Sequence, residues 1–158
     1  MIEELAGVGF TLAQVYISQV ISSTESLCQI AGIERPKPLM IRQSNSRRVG
    51  SSQFTQIEVI WDVANYYKHK DEWQGKSWRH IERSQSRVDK QRAKTIQVLR
   101  AIGCEEHCTG NFRRAAEALG MANYELGQLA EILEAWHAKL REVYEEQLKH
   151  LKLALEET

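Results

Sequence analysis

From Tyr124 to Glu156 the chain contains no proline and a single glycine, Gly127, while Leu126, Leu129, Leu133, Trp136, Leu140 and Val143 recur at alternating spacings of three and four. That rhythm is one face of an α-helix and nothing else. At 1.5 Å per residue the helix would be roughly 50 Å long, so it predicts a structural spine or a dimer face against which the rest of the chain must pack.

The remaining segments punctuate in the same way. Residues 2–31 read as a helix with an apolar face through Leu5, Val8, Leu12, Val15, Tyr16, Val20, Leu27 and Ile30, stopped by Gly32. Two prolines at alternate positions in Arg35-Pro36-Lys37-Pro38 forbid helix and favour an extended turn. Residues 42–53 have almost no apolar content and are expected to be a mobile loop, which makes about 33–53 a basic Pro/Ser/Arg connection. Thr55 with Glu58 fits a capping box, with Ser52 as an alternative cap, opening a helix to about Glu72 before Gly75. Ser86 with Asp89 opens another to about Ile102, ended by Gly103, and a short helix from Asn111 to Leu119 stops at Gly120. Alternating strand patterns and internal repeats are absent. The expected class is all-α, a bundle of four to five helices with a long C-terminal helix.

With 158 residues, 42% hydrophobic and 27% charged, the chain fits one domain over 1–158 that buries about two-thirds of its unfolded surface. Uninterrupted apolar runs fall far short of the ~20 residues of a membrane span, and Met-Ile-Glu-Glu lacks the basic region of a signal peptide. A cytoplasmic protein with no membrane association is therefore expected. Cys28, Cys104 and Cys108 form no even disulfide framework and are read as reduced thiols. The net charge of zero conceals segregation: residues 35–48 and 76–100 carry +5 and +6, whereas 1–34 and 101–158 carry −4 and −5. Such a basic middle either meets a polyanion or satisfies the chain's own acidic helices.

The one site-like feature lies in residues 62–73. A helix there aligns Asp62, Asn65, His69 and Glu72 as a polar stripe, while Ile57, Trp61, Ala64 and the stem of Lys68 follow the same rhythm on a side able to pack. Within it, Ala64-Asn65-Tyr66-Tyr67-Lys68-His69 resembles the signature of the HEPN superfamily, small helical proteins that include metal-independent ribonucleases of toxin–antitoxin and phage-defence systems. The family pattern is Arg, a polar residue often Asn, three variable positions and His. Asn65 and His69 match it, and Ala64 stands where the Arg should be. The resemblance implies a homodimer with paired motifs across a cleft, His69 moving protons for attack by an RNA 2′-hydroxyl, and no cofactor. Histidine suits that work because its ordinary pKa is near neutrality. The missing guanidinium implies weak or lost cleavage, since one such donor is commonly worth ~10²–10³ in rate. Lys68 is the nearest substitute, which makes Asn65, Lys68 and His69 the candidate catalytic set. The alternative is structural, with His69 held by Asp62 or Glu72.

Other patterns bear on partners. Arg47 and Arg48 at the loop tip, with Arg83, Arg87, Lys90 and Lys94 on one side of a single helix, form a candidate RNA-backbone contact or a solvated face. Residues 109–121 resemble the first helix and turn of a Fis-type helix-turn-helix, but 124–138 hold Glu125, Glu131 and Glu134 and no Lys or Arg, which opposes duplex DNA. A tight helical corner of small residues is the competing reading. Cys104-Glu-Glu-His107-Cys108 has ligand types for zinc without a nearby second pair, and no metal is expected. Trp61, Trp73, Trp78 and Trp136 read as packing anchors. With no phosphate-binding loop, nucleophile elbow or metal-binding helix pair, a conventional small-molecule enzyme is disfavoured. The rival function is a non-catalytic module that uses the C-terminal helix to bind itself or a larger protein partner.

Overall fold

A computed structural model of the chain describes residues 2–73, 75–106 and 108–156. Among them are seven α-helices and no strands: α1 Ile2–Ile30, α2 Pro38–Gln43, α3 Gln56–His69, α4 Trp78–Arg83, α5 Arg87–Ala101, α6 Asn111–Leu119 and α7 Gly127–Glu156. Short 3-10 turns at Lys70–Trp73 and Ala122–Tyr124 extend α3 and precede α7. The all-α class holds, with five helices of nine residues or more.

Local chemistry sets the boundaries. Thr55 and Glu58 form the reciprocal capping box, the Thr55 hydroxyl accepting from the Glu58 amide and the Glu58 carboxylate from the Thr55 amide. Ser86 caps α5 through the Asp89 amide. Gly103 and Gly120 follow α5 and α6 with φ near +79° and +75°, a backbone that a side chain would strain. Pro38 does not prolong an extended turn; it occupies the start of α2, where its missing N–H costs nothing. Nor is 42–53 a featureless loop. The Val49 amide donates to the Phe54 carbonyl at 2.9 Å, the Gln56 amide to the Arg47 carbonyl at 2.8 Å, and Val49 is buried, which pins the turn to the start of α3.

α3 is the centre of the bundle, packed by α1 on one side and α5 on the other, with α7 lying on α1. Phe10 and Ile17, Ile57, Ile60 and Val63, Ile96 and Leu99 fill the interior. α7 buries Leu129, Leu133, Trp136 and Leu140 as its spacing requires, and Val143 lies outside the core. Most of the apolar face expected for α1 lies outside: Leu5, Val8, Leu12, Val15, Leu27 and Ile30 are all more than half exposed, while Val20 is buried and Tyr16 packs half-buried against the core as expected, and the buried row is Ala6, Phe10, Ala13, Ile17, Val20 and Ile21. α1 is apolar nearly all round, and the side that is buried is the one where Gly7 lets it approach α3 closely. At Gly7 a Cβ would stand 3.1–3.2 Å from the Tyr67 side chain. By length and composition, residues 3–30 also satisfy the test for a membrane span, against the reading from uninterrupted runs, although 44% of the most apolar window is buried in protein.

Candidate functional site

The polar stripe survives folding intact. Asp62, Asn65, His69 and Glu72 all line one cleft of about 730 Å³ between α3 and α5, closed at one end by Arg42 of α2 and carrying Arg92, Lys94 and Thr95 on the α5 wall. On the packing side, Ile57 and Ala64 are fully buried, whereas Trp61 is half-buried and lines the cleft, with the Arg42 guanidinium 4.2 Å above its ring.

His69 keeps 43% of its side chain exposed. Its Nδ1 lies 2.9 Å from a Glu72 carboxylate oxygen, so the structural partner expected from the sequence is present. An ionised carboxylate only accepts, which assigns the proton to Nδ1 and leaves Nε2 of the neutral ring as a base. Arg92 then donates to the second Glu72 oxygen at 3.3 Å and to Asp89 at 3.3 Å, and Lys76 closes on Asp89 at 3.3 Å. The hydrogen bond from His69, followed by Arg92, holds the Glu72 carboxyl below the usual carboxylate range.

The inner half of the cleft is drier. Thr95 donates to Asp62 at 2.7 Å and Asn65 Nδ2 approaches the same oxygen at 3.5 Å, yet burial pushes the Asp62 carboxyl up, because desolvation outweighs those hydrogen bonds and the pull of Arg42. Burial likewise lowers the Arg42 guanidinium from its ordinary value, opposed by Asp62 and Glu58, and its Nε is enclosed without a hydrogen-bond partner. Glu58 is spoken for by Gln43 and the Thr55 cap.

One member of the expected catalytic set, Lys68, does not share the cleft as the spacing suggested. Lys68 turns towards α1, its Nζ 2.9 Å from Gln14 Oε1, and takes no part in the lining. Gln14 also donates to the Asn65 side-chain oxygen at 2.7 Å and to the Trp61 carbonyl at 3.1 Å, so Asn65 is oriented from behind and only its amide side meets Asp62. Ala64 is enclosed in the core, and an arginine there would face the interior rather than His69. Of the expected substrate-binding cations only Lys94 lines the cleft; Arg47 and Arg48 project from the turn before α3, and Arg83, Arg87 and Lys90 are exposed elsewhere. The single basic helix over 83–94 is also two, because Ser84–Ser86 breaks it between α4 and α5.

Sequence reasoning passed over Gln14, Arg42, Arg92 and Thr95. Gln14 carried a readable signal, a polar residue in register with Phe10 and Ile17. Arg92 was visible as one cation of the basic stretch 76–100 but was left out of the candidate site.

Around α6, Arg113 pairs with Glu117 at 2.8 Å and Arg114 with Glu105 at 2.9 Å. His107 lies outside the described residues, and among those described no group of three metal-ligating side chains occurs. Burial drives the Cys104 thiol up to about 12, leaving it a proton-bearing packing group. No family model matches the chain, and no curated protein or solved structure matches it.

Proposed function

We propose that the α3–α5 cleft contacts RNA in a HEPN-like helical protein whose metal-independent cleavage is weak or lost. One observation carries the reading: an accessible His69, with Nδ1 pinned by Glu72 and Nε2 left as a base, shares a cleft with the exposed ammonium of Lys94 and the guanidinium of Arg92. The carboxylates of the cleft are largely engaged, Glu58 in its cap, Glu72 by His69 and Arg92, and Asp62 by Thr95. Lys94 is therefore the charge that a phosphate meets first. Cleavage is expected to be slow because Arg92 is held by two carboxylates and no other guanidinium sits beside His69 on α3.

Fluorescence anisotropy with labelled single-stranded RNA across a salt series tests this. Binding should weaken as salt rises, and Lys94→Ala should lower the slope of log affinity against log salt by about 1. His69→Ala should remove residual cleavage measured in chelator while leaving binding close to wild type. Salt-independent binding, or a slope that Lys94→Ala does not change, would rule the cleft out. A second reading, a non-catalytic association module, is favoured by the distal half of α7, where residues 145–150 are exposed on every side.

A further inference from the structure

We propose that the inner end of the α3–α5 cleft is a pocket for a guanine base of single-stranded RNA, read by Arg42 and Asp62. The inference rests on the reading of the cleft as an RNA site and adds which nucleotide enters it.

The two ends of the cleft differ in chemistry. Leu39 of α2, Phe54 before α3 and Trp61 wall the inner end with apolar surface beside Arg42 and Asp62, whereas His69, Glu72 and Arg92 gather charge at the outer end. At 1.5 Å per residue the seven positions from Asp62 to His69 span about 10 Å along α3, close to the reach of one nucleotide from its backbone to the far edge of its base. A backbone held at the outer end and at Lys94 therefore delivers one splayed base to the apolar end, the manner in which single-stranded RNA is read.

The polar groups at the inner end are incomplete in a specific way. Both hydrogen bonds given to the Asp62 carboxylate, from Thr95 at 2.7 Å and Asn65 at 3.5 Å, arrive on Oδ1, and none reaches Oδ2. The Arg42 guanidinium lies on the Trp61 ring and is offered no hydrogen-bond acceptor among the described residues; only its Nε is enclosed, which leaves the terminal nitrogens open. Glu58 does not answer it, being held by Gln43 and the Thr55 cap. Polar groups withdrawn from water are as a rule hydrogen-bonded. Here burial pushes both side chains towards their neutral forms, and neither has the partners that would offset it.

The partner that completes this end is flat, apolar on its faces, and carries on one edge donors for the carboxylate and an acceptor for the guanidinium. A carboxylate has roughly four acceptor sites, so Asp62 has room for two more donors. Guanine supplies them side by side, N1–H and the 2-amino group, with O6 next to them as the acceptor for Arg42. Adenine and cytosine bring one amino donor to that edge, and uracil one imino donor, so each leaves the carboxylate short of a partner. A buried polar group left unpaired is what makes such a site reject the wrong base.

Anisotropy with labelled oligouridylate carrying one central guanosine, inosine or adenosine tests the pocket. Guanosine should bind roughly 5- to 100-fold more tightly than adenosine, the range for one bidentate pair. Inosine, which lacks only the 2-amino donor, should fall between them. Asp62→Asn should abolish that order, because an amide cannot accept both donors as a carboxylate does. The inosine comparison uses the wild type alone and stands whether or not the variant folds. Guanosine no tighter than inosine, or an order that survives Asp62→Asn, would overturn the pocket while salt-dependent, Lys94-dependent binding of plain oligouridylate kept the RNA reading. Free guanosine 3′-monophosphate separates the two sources of the base. Its selective binding over the adenosine nucleotide by a chain that ignores RNA would support the pocket and overturn the RNA reading, and failure to bind either would overturn both.

Discussion

Asp89 is among the most constrained ionisable residues of the chain. It is buried, touches Lys76 and Arg92, and hydrogen bonds from the Ser84 and Ser86 hydroxyls with the charge of Lys76 draw its carboxyl down to about 2 from an ordinary 3.8. A carboxyl depressed in the folded state stabilises the fold above its ordinary value and loses that contribution as pH falls through the folded one. Asp89→Asn should therefore lower the melting temperature at neutral pH and converge with wild type as pH drops from about 4 to 2, a difference that melts at several pH values would show. Failure to converge would place the role of Asp89 in packing rather than charge. Asp62 runs the other way, since burial raises its carboxyl and the native state favours its proton. At this scale the sequence was partly legible. The stripe from Asp62 to Glu72 converges because spacing alone sets which side of a helix a residue occupies. The directions of Lys68 and Ala64 were not, because they depend on how α1 crosses α3, and the partner that captures Lys68, Gln14, is 54 positions away.

Among the elements, α1 against α3 is the contact that a single methyl group can test. The Gly7→Ala variant gains roughly 0.5–1 kcal/mol of helix propensity. Its Cβ, however, would stand 3.2 Å from Tyr67 Cβ, an atom fixed by the α3 backbone that cannot rotate aside, while the Tyr67 ring is held by Phe10 at 6.4 Å and Tyr66 at 5.4 Å. The helices must separate, and overpacking of that kind costs about 1–3 kcal/mol. A net loss of about 1 kcal/mol in chemical denaturation is expected, and a gain would show that the α1–α3 contact is softer than its geometry. Elements with caps and whole turns were readable, as Thr55, Ser86, Gly103 and Gly120 demonstrate. α4 escaped because Trp78–Arg83 offers too few residues for a period to emerge. The face of α1 was misjudged for a different reason: α1 carries large apolar side chains nearly all round, so their spacing alone does not say which side meets α3.

On the scale of the whole molecule, charge segregation is only partly closed by folding. Arg100 meets Glu82 at 3.1 Å and Lys76 meets Asp89 inside the basic stretch itself, and Arg92 reaches out of it to Glu72. α7 is set apart by its length. It runs 30 residues, about 45 Å, but its last core contacts among the described residues are Leu140 and the half-buried Tyr144. Removing residues 145–158 should leave the unfolding free energy of the body within about 1 kcal/mol, since no core side chain among the described residues is lost. A larger drop would mean that the distal half stabilises the bundle, for instance by covering another copy.

The four tryptophans also divide the interior into regions that light can distinguish. Tyr66 stands edge-on to Trp73 at 5.7 Å and to Trp78 at 6.3 Å, and Arg100 lies 5.5 Å over Trp78. Rings in such fixed asymmetric contact exchange excitation and give strong near-ultraviolet dichroism, which reports the junction of α3, α4 and α5. Trp61 sits instead at the cleft beneath Arg42, where an arriving ligand would alter its emission, and Trp136 anchors α7 through its indole N–H, 3.1 Å from the Ser44 carbonyl. Loss of dichroism in the wild type, with no change in the emission of a variant that keeps Trp136 as its one tryptophan, would separate opening of the cleft wall from detachment of the spine.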